Sequence, residues 1–329
     1  MPQTYLTYQS QQGGANYSDE EAYLITESIR PTYDNARKIA QTENVTTLII
    51  GDTGTGKEHL AKFIHQHSDR RNQPFIPINC SAFHDQLLES RLFGHKKGSF
   101  TGADKDMPGL FTEAKKGTIF LDEIGDISSY MQQSLLRVLQ EKEITPVGGK
   151  PQKVDVRITA ATNRNLIKRC QDGKFRWDLY YRLTEAELEL PSLQERGQQE
   201  KKNLIEYFIK KQRAKLKKPK AIKLNTEVRQ VLMRYSFPGN IRELENLITR
   251  LYIFADGKEE VKVSLLPKRI LANEDEGSLM WNEVERRHIQ KVLKLYQGNQ
   301  RQSALALGYA INTLKSKIKK YNFDSSMAV

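Results

Sequence analysis

The strand-like run Thr47–Ile50 passes directly into Gly51-Asp52-Thr53-Gly54-Thr55-Gly56-Lys57-Glu58 and then into a helical stretch, His59–His67. This Gly-x-x-x-x-Gly-Lys spacing at a strand-to-helix junction constrains the fold more than any other feature of the chain. Its glycines let consecutive backbone N–H groups curl around a phosphate, and the following helix offers the same anion its positive dipole end. Lys57 adds a mobile charge for the outer phosphates of a nucleoside triphosphate. The bare pattern is short, so its weight comes from the setting, a buried strand before it and a helix after it.

Other runs supply a sheet around that strand. Val45–Ile50, Phe75–Cys80, Thr118–Leu121, Val154–Ala161 and Ala186–Leu190 are short and apolar, and they alternate with helical stretches such as Met131–Glu143. Continuous apolar runs bounded by turns suit parallel strands covered on both faces. A helix near Tyr33–Gln41 precedes them, and residues 1–17 show no periodicity. After Pro191 the strand signals stop, and Lys201–Leu216, Thr226–Tyr235 and Ile241–Phe254 read as helices. The last fifty residues are again helical, with breaks at Gly298 and Gly308. The expected architecture is a tail over 1–20, a three-layer α/β domain with a parallel sheet over 21–196, and an all-α unit over 197–272. A short acidic linker over 273–278 leads into a second all-α unit over 279–329.

Charge placement narrows the partners. The net charge is +12, and it is concentrated in two blocks. Residues 279–329 carry nine Lys or Arg against three Asp or Glu, and residues 198–223 carry ten against two. Basic blocks of this kind suit nucleic-acid contact, and on charge alone they equally suit solvated faces. No apolar run approaches the roughly 20 residues a membrane helix needs, and the start has neither a basic nor an apolar secretory segment. Cys80 and Cys170 form no Cys-x-x-Cys pattern, which argues against a disulfide framework or zinc ribbon and fits a reducing cytoplasm. His65 and His67 lie two apart on a helix, point in different directions and read as surface residues rather than a metal pair.

A second motif completes a hydrolytic site. Gly117-Thr118-Ile119-Phe120-Leu121-Asp122-Glu123 is an apolar strand ending in two carboxylates. Asp122 is placed to hold Mg²⁺, and Glu123 to polarise an attacking water. A third strand ends at Thr162-Asn163, bringing a polar side chain to the strand ends where α/β sheets bind ligands. The ligand expected is ATP with Mg²⁺.

With these motifs in place, the chain from about Ser28 onward resembles the AAA+ ATPases that activate sigma-54 RNA polymerase, the bacterial enhancer-binding proteins. The most specific element is Gly98-Ser99-Phe100-Thr101-Gly102-Ala103, similar to the family's Gly-Ala-Phe-Thr-Gly-Ala loop with Ser for Ala. The resemblance implies a surface loop that touches sigma-54 and carries the mechanical output of hydrolysis. Flanking glycines and an apolar tip suit that task. It further implies that Asn79 is a switch residue holding Glu123 off its water until the neighbouring subunit is engaged, that Asn163 is sensor I, and that Arg242 is sensor II. Arg176 and Arg182 match the pair of arginine fingers that reach the γ-phosphate in the next protomer of a hexameric ring. Glu58, where many phosphate loops carry Ser or Thr, is the ordinary residue within this family. The segment after Leu193-Gln194-Glu195-Arg196 departs from the family pattern by an extra residue, in a hinge that helps enclose the adenine.

The C-terminal unit resembles a Fis-type helix-turn-helix. Ala304 and Ala306 permit close helix crossing, and Gly308 suits a left-handed turn. In the last helix Leu314 and Ile318 face inward, which leaves Lys315, Lys317, Lys319 and Lys320 for phosphates and Asn312, Thr313 and Ser316 for bases. Ile311 stands where the family usually has an Arg. The helix Val284–Leu293, with Val284, His288 and Ile289 along one side, is the expected dimer surface.

The resemblance implies a cytoplasmic ring-forming activator that binds upstream enhancer DNA and remodels sigma-54 RNA polymerase for open-complex formation. Two other functions stay open at this level: a nucleotide-gated DNA-binding regulator that does not act on sigma-54, and an AAA+ DNA motor or unfoldase. No sensory domain is expected before the ATPase core, which would place control in a trans-acting regulator protein, an effector bound to the core, or expression level.

Overall fold

The computed structural model describes residues 26–255, 260–272, 281–296, 298–321 and 323. The tail expected over 1–20 and the linker expected over 273–278 lie outside the described residues. Five strands form one parallel sheet: β1 (Thr47–Ile50), β2 (Phe75–Asn79), β3 (Thr118–Asp122), β4 (Arg157–Thr162) and β5 (Ala186–Glu189). Their order is β2-β3-β4-β1-β5. The register pairs Thr47 with both Thr159 and Ala186, and Asn79 with Asp122. The carboxyl ends of β1, β2, β3 and β4 therefore share one rim, which brings together the phosphate loop, Asn79, Asp122-Glu123 and Asn163.

Alternation along the strands builds two cores, as a sheet covered on both faces requires. Leu48, Ile119, Leu121, Ile158 and Ala160 face one core, completed by Leu88, Leu92, Met131, Leu135 and Leu179 from surrounding helices. Ile49, Phe120, Ala161 and Leu188 face the other, against Tyr33 and Ala36 of the Arg30–Ala40 helix and Leu60, Phe63 and Ile64 of the Lys57–Gln66 helix. At the start of β4 the buried Arg157 guanidinium donates to the carbonyls of Ile39 (2.6 Å) and Ala40 (3.2 Å), capping the first of these helices.

The structure departs from the sequence expectations at several places. The strand expected from Val154 begins only at Arg157, because Gln152–Lys153 pairs antiparallel with Glu143–Ile144 and the Val154 N–H goes to the Lys142 carbonyl. The helices Asp85–Phe93, Leu166–Gln171 and Trp177–Leu183 are too short to show a clear period. His65 is a core residue, 5% exposed, with its Nδ1 3.0 Å from Thr118 Oγ1. Burial pulls its pKa down to about 4, so the ring is neutral near pH 7.

Beyond Pro191 the helices Gln198–Lys215, Thr226–Arg234 and Asn240–Phe254 appear where expected. The region is not purely helical, since Lys223–Leu224 pairs in parallel with Glu260–Val261. The chain divides into two compact units. One extends to Ala221 and includes Ser236–Tyr252; the other takes Ile222–Tyr235 and everything from Ile253. The second ends in three helices, Trp281–Leu295, Gln300–Ala306 and Ile311–Lys320, around Ile289, Leu293, Ala304 and Leu314. Gly308 takes φ +68° and the Tyr309 N–H returns to the Ala304 carbonyl, a left-handed helix stop as expected. Ala306 is exposed and makes no crossing. Among the described residues no helix is long and apolar enough to cross a membrane.

Candidate active site

The phosphate loop owes its shape to two left-handed glycines, Gly54 at φ +80° and Gly56 at φ +106°. A Cβ on Gly54 would lie 2.3 Å from the Gly239 carbonyl oxygen, so no larger residue fits there. No side chain caps the N-terminus of the Lys57–Gln66 helix, whose first N–H groups are thus left for an anion. Lys57 is 7% exposed, and its Nζ donates to the Gly51 carbonyl at 2.8 Å and the Asp52 carbonyl at 3.3 Å. Burial lowers its pKa below the ordinary lysine value, while the Glu123 and Asp122 carboxylates oppose that drop.

The carboxylates stand opposite this loop. Asp122 Oδ1 accepts the Glu123 N–H at 3.0 Å, and burial raises its pKa above the usual carboxylate value against the pull of Lys57. Glu123 sits in a left-handed conformation, φ +55°, which turns its side chain back over the loop. Its Oε1 lies 4.0 Å from Lys57 Nζ, and its Oε2 accepts the Asn163 N–H at 3.4 Å. Asn163 Nδ2 in turn donates to Thr53 Oγ1 at 3.1 Å, joining the third strand end to the phosphate loop. Glu58 is exposed and turns along its helix to Lys62, 3.2 Å away. The nearby Cys80 thiol, pushed up to about 12 by burial and by the charges of Asp122 and Glu123, stays protonated.

Asn79 does not hold Glu123 as the resemblance implied. Its Oδ1 accepts from the Ser81 N–H (2.9 Å) and hydroxyl (2.8 Å), because the chain turns into the Cys80–Ala82 helical turn right after β2 and this cap is the nearer partner. The two expected fingers also differ. Arg176 forms a two-pronged pair with Asp178, at 3.0 and 2.6 Å, whereas Arg182 is exposed and has no partner among the described residues. Between them Trp177 and Tyr181 stack at 5.8 Å, both exposed.

Sequence reading missed the partners on the outer side of the loop. Arg196 Nη2 donates to the Thr55 carbonyl at 2.9 Å, and Asn240 Nδ2 to the Thr53 carbonyl at 3.0 Å. The signal that could have found Asn240 is the turn-forming pair Gly239-Asn240 just before a helix. Arg242, two residues on, gives its backbone N–H to the Gly54 carbonyl at 3.3 Å and lends its charge to the field at Lys57 and Asp122.

Residues Gly98–Ala103 cap a hairpin of Gly94–His95 and Met107–Pro108. The turn is closed by Gly98 N–H to the Ala103 carbonyl (2.9 Å), with Gly98 at φ +80° and Gly102 at φ +96° facing open space. Phe100 is 45% exposed, its ring edge-on to His95 at 4.9 Å. The Lys96–Asp106 pair (2.7 Å) and the Asp106 bond to the Lys97 N–H (2.8 Å) stiffen the stem.

In the C-terminal helices Asn312, Thr313, Lys315, Ser316, Lys319 and Lys320 are exposed on the last helix. Lys317 is not turned to phosphates. Its Nζ pairs with buried Glu285 at 2.7 Å, and Tyr309 and Tyr321 hydroxyls donate to the same carboxylate at 3.0 and 2.6 Å. Ile289 packs inside the domain's own core rather than on an outer pairing face, and the Val284 side chain lies outside the described residues. Hydrogen bonds from Lys317 first, then Tyr321, hold the Glu285 carboxyl at about 2 against an ordinary 4.5. A group with a depressed folded pKa stabilises above the unfolded value and loses that contribution as pH falls through the folded one. The Tm difference between wild type and Glu285→Gln, measured by calorimetry, should therefore shrink as pH falls from about 4.5 to about 2.

Known proteins resemble this chain along its length. Residues 24–189 match the family described as Sigma-54 interaction domain, 195–280 the AAA+ ATPase lid domain, and 282–321 the Bacterial regulatory protein, Fis family. Among similar proteins, Transcriptional regulatory protein ZraR of Escherichia coli (strain K12) is 42% identical over 84% of this chain and 63% of its own length. Response regulator protein PilR of Pseudomonas aeruginosa is 38% identical over 84% of this chain and 64% of its own. The chain thus spans somewhat less than two thirds of these relatives. The crystal structure of NtrX from Brucella abortus in complex with ATP superposes with a TM-score of 0.68 at 30% identity, covering 91% of this chain and 68% of that one.

Proposed function

The chain belongs to the sigma-54 interaction family of AAA+ regulators with a Fis-type helix-turn-helix, and from that premise we propose that it hydrolyses ATP to drive sigma-54 RNA polymerase toward an open complex. The observation that carries this reading is the placement of Phe100, 45% exposed at a hairpin tip, in the same compact unit as Lys57 and Glu123. Fuel site and apolar output tip share one domain.

The site's own groups suit the chemistry. Bare N–H groups of the glycine loop and the Lys57 ammonium hold the phosphates. Glu123 takes a proton from water as its oxygen bonds to the γ-phosphorus; the bond to the bridging oxygen breaks, and ADP leaves. Asn163, tied to both Thr53 and Glu123, aligns the carboxylate with the phosphates. Asp122 offers a second carboxylate oxygen that has no partner among the described residues, which fits a hard cation such as Mg²⁺. Bound there, Mg²⁺ would neutralise charge on the transferred phosphoryl group. Arg182, exposed and uncommitted, suits a finger into the next protomer of a ring, and Arg176 joins it only on leaving Asp178. We assign 21–196 to the ATPase domain, 197–272 to the lid and 279–329 to contact with upstream double-stranded DNA by paired copies. Lys315, Lys319 and Lys320 meet phosphates, and Asn312, Thr313 and Ser316 meet base edges. A cytoplasmic setting follows from a DNA-bound task.

Sigma-54 retention on the immobilised full chain tests this. With ADP and aluminium fluoride, which imitates the transferring γ-phosphate, sigma-54 should be retained; without nucleotide it should wash through. Equal retention in both, or none in either by a chain that hydrolyses ATP, would overturn the reading.

A further inference from the structure

Every carbonyl of the phosphate loop from Gly51 to Gly56 is held by a donor. Lys57 Nζ takes those of Gly51 and Asp52; Asn240 Nδ2 takes Thr53 at 3.0 Å; and the Ile241 and Arg242 N–H groups take Gly54 at 3.0 and 3.3 Å. Arg196 takes Thr55 at 2.9 Å, and the Leu60 N–H takes Gly56 at 3.1 Å. In a planar trans peptide the carbonyl and the following N–H point opposite ways, so a donor on the outer side aims the next N–H inward. The bond from Asn240 to the Thr53 carbonyl aims the Gly54 N–H in this way.

Asn240 does more than hold one carbonyl. It is 2% exposed, and its Oδ1 accepts the Leu193 N–H at 2.7 Å, in the hinge that follows β5. Its backbone is left-handed, φ +52°, and its N–H returns to the Phe237 carbonyl at 2.7 Å, which starts the helix bearing Arg242. One carboxamide therefore ties the phosphate loop, the hinge and the first turn of that helix. Neither of its two bonds is replaceable by water at this burial.

We propose that Asn240 is a positioning residue that sets how tightly the phosphate loop retains nucleotide, through its paired bonds to Thr53 and Leu193. The proposal rests on the reading that this loop binds ATP and ADP. Asn240 touches no phosphate; it fixes the peptide planes that do.

Two variants of the full chain test it. Asn240→Gly keeps the left-handed backbone at no steric cost and removes both side-chain bonds. Asn240→Asp keeps the shape and the acceptor for Leu193 but turns an oxygen toward the Thr53 carbonyl. Both should weaken binding of a fluorescent ADP analogue by about tenfold or more and raise KM for ATP similarly, with kcat at saturation within about threefold of wild type. Circular dichroism checks that each is folded; the Asp variant serves if the Gly variant is not. The loss in Asn240→Asp should persist at high salt, since a broken clip is not screened whereas through-space repulsion of phosphate is. Wild-type turnover in the same buffer shows whether the loop uses ATP at all, which keeps the two readings separable. The proposal is overturned if the folded variants bind ADP as wild type does, if kcat falls with unchanged affinity, or if salt restores the Asp variant.

Discussion

Replacing Glu123 with Gln should cut ATP turnover by about a hundredfold or more while leaving ADP affinity close to wild type. The two effects separate because the groups that grip phosphate are distinct from the group that takes the proton. Lys57, the glycine-loop amides and Asp122 are untouched by the substitution, and Gln keeps the size and the Asn163 N–H partner of the original side chain. Only the basic oxygen is gone. Steady-state phosphate release together with binding of a fluorescent ADP analogue checks both halves. Turnover within a few-fold of wild type would remove Glu123 from the chemistry and leave Asp122 as the remaining carboxylate on that strand end.

Phe100→Ala should do the reverse, abolishing open-complex formation at a sigma-54 promoter while ATP turnover stays within about twofold. The expectation follows from where the ring sits. Phe100 sits in the loop that caps the hairpin, with its ring edge-on to His95, and 45% of the residue is left exposed for a partner to bury. Full burial of a phenylalanine stabilises a contact by about 1.5–3 kcal/mol, and a flexible glycine mount on either side lets that contact form without disturbing the sheet. Permanganate footprinting of the promoter beside a phosphate-release assay measures both quantities. Normal footprints from the variant would reduce the loop to a structural turn. A parallel collapse of ATP turnover would mean that the hairpin supports the catalytic rim rather than acting from it.

The same contrast between local and distant determinants runs through the whole chain. Gly51–Lys57, the strand ending in Asp122-Glu123, the Gly98–Ala103 loop and the turn at Gly308 are each encoded by neighbours within a few positions. A left-handed glycine, a bare helix N-terminus or an apolar run long enough for a strand constrains the backbone by itself, so spacing was sufficient to place them. The parallel sheet was legible for a related reason, since runs such as Ile119–Leu121 are apolar throughout and need cover on both faces.

What only the tertiary structure decided is the partner that each polar side chain takes. Lys317 reads as one more phosphate-binding lysine until the first helix brings Glu285, 32 positions away, against it. His65 reads as surface until Thr118, 53 positions on, closes over its ring. Asn79, expected to reach across to Glu123, instead takes Ser81, two positions away, because the turn there offers a donor at once. Among the side chains of the described residues the largest separation belongs to Asn240, whose carboxamide meets Thr53 across 187 positions. Backbone conformation follows from sterics and periodicity over a few residues, whereas a hydrogen bond or ion pair follows from which donors and acceptors the packed elements bring within 3 Å. The chain's order along the sequence determined the first, and the packing of its sheet and helices decided the second.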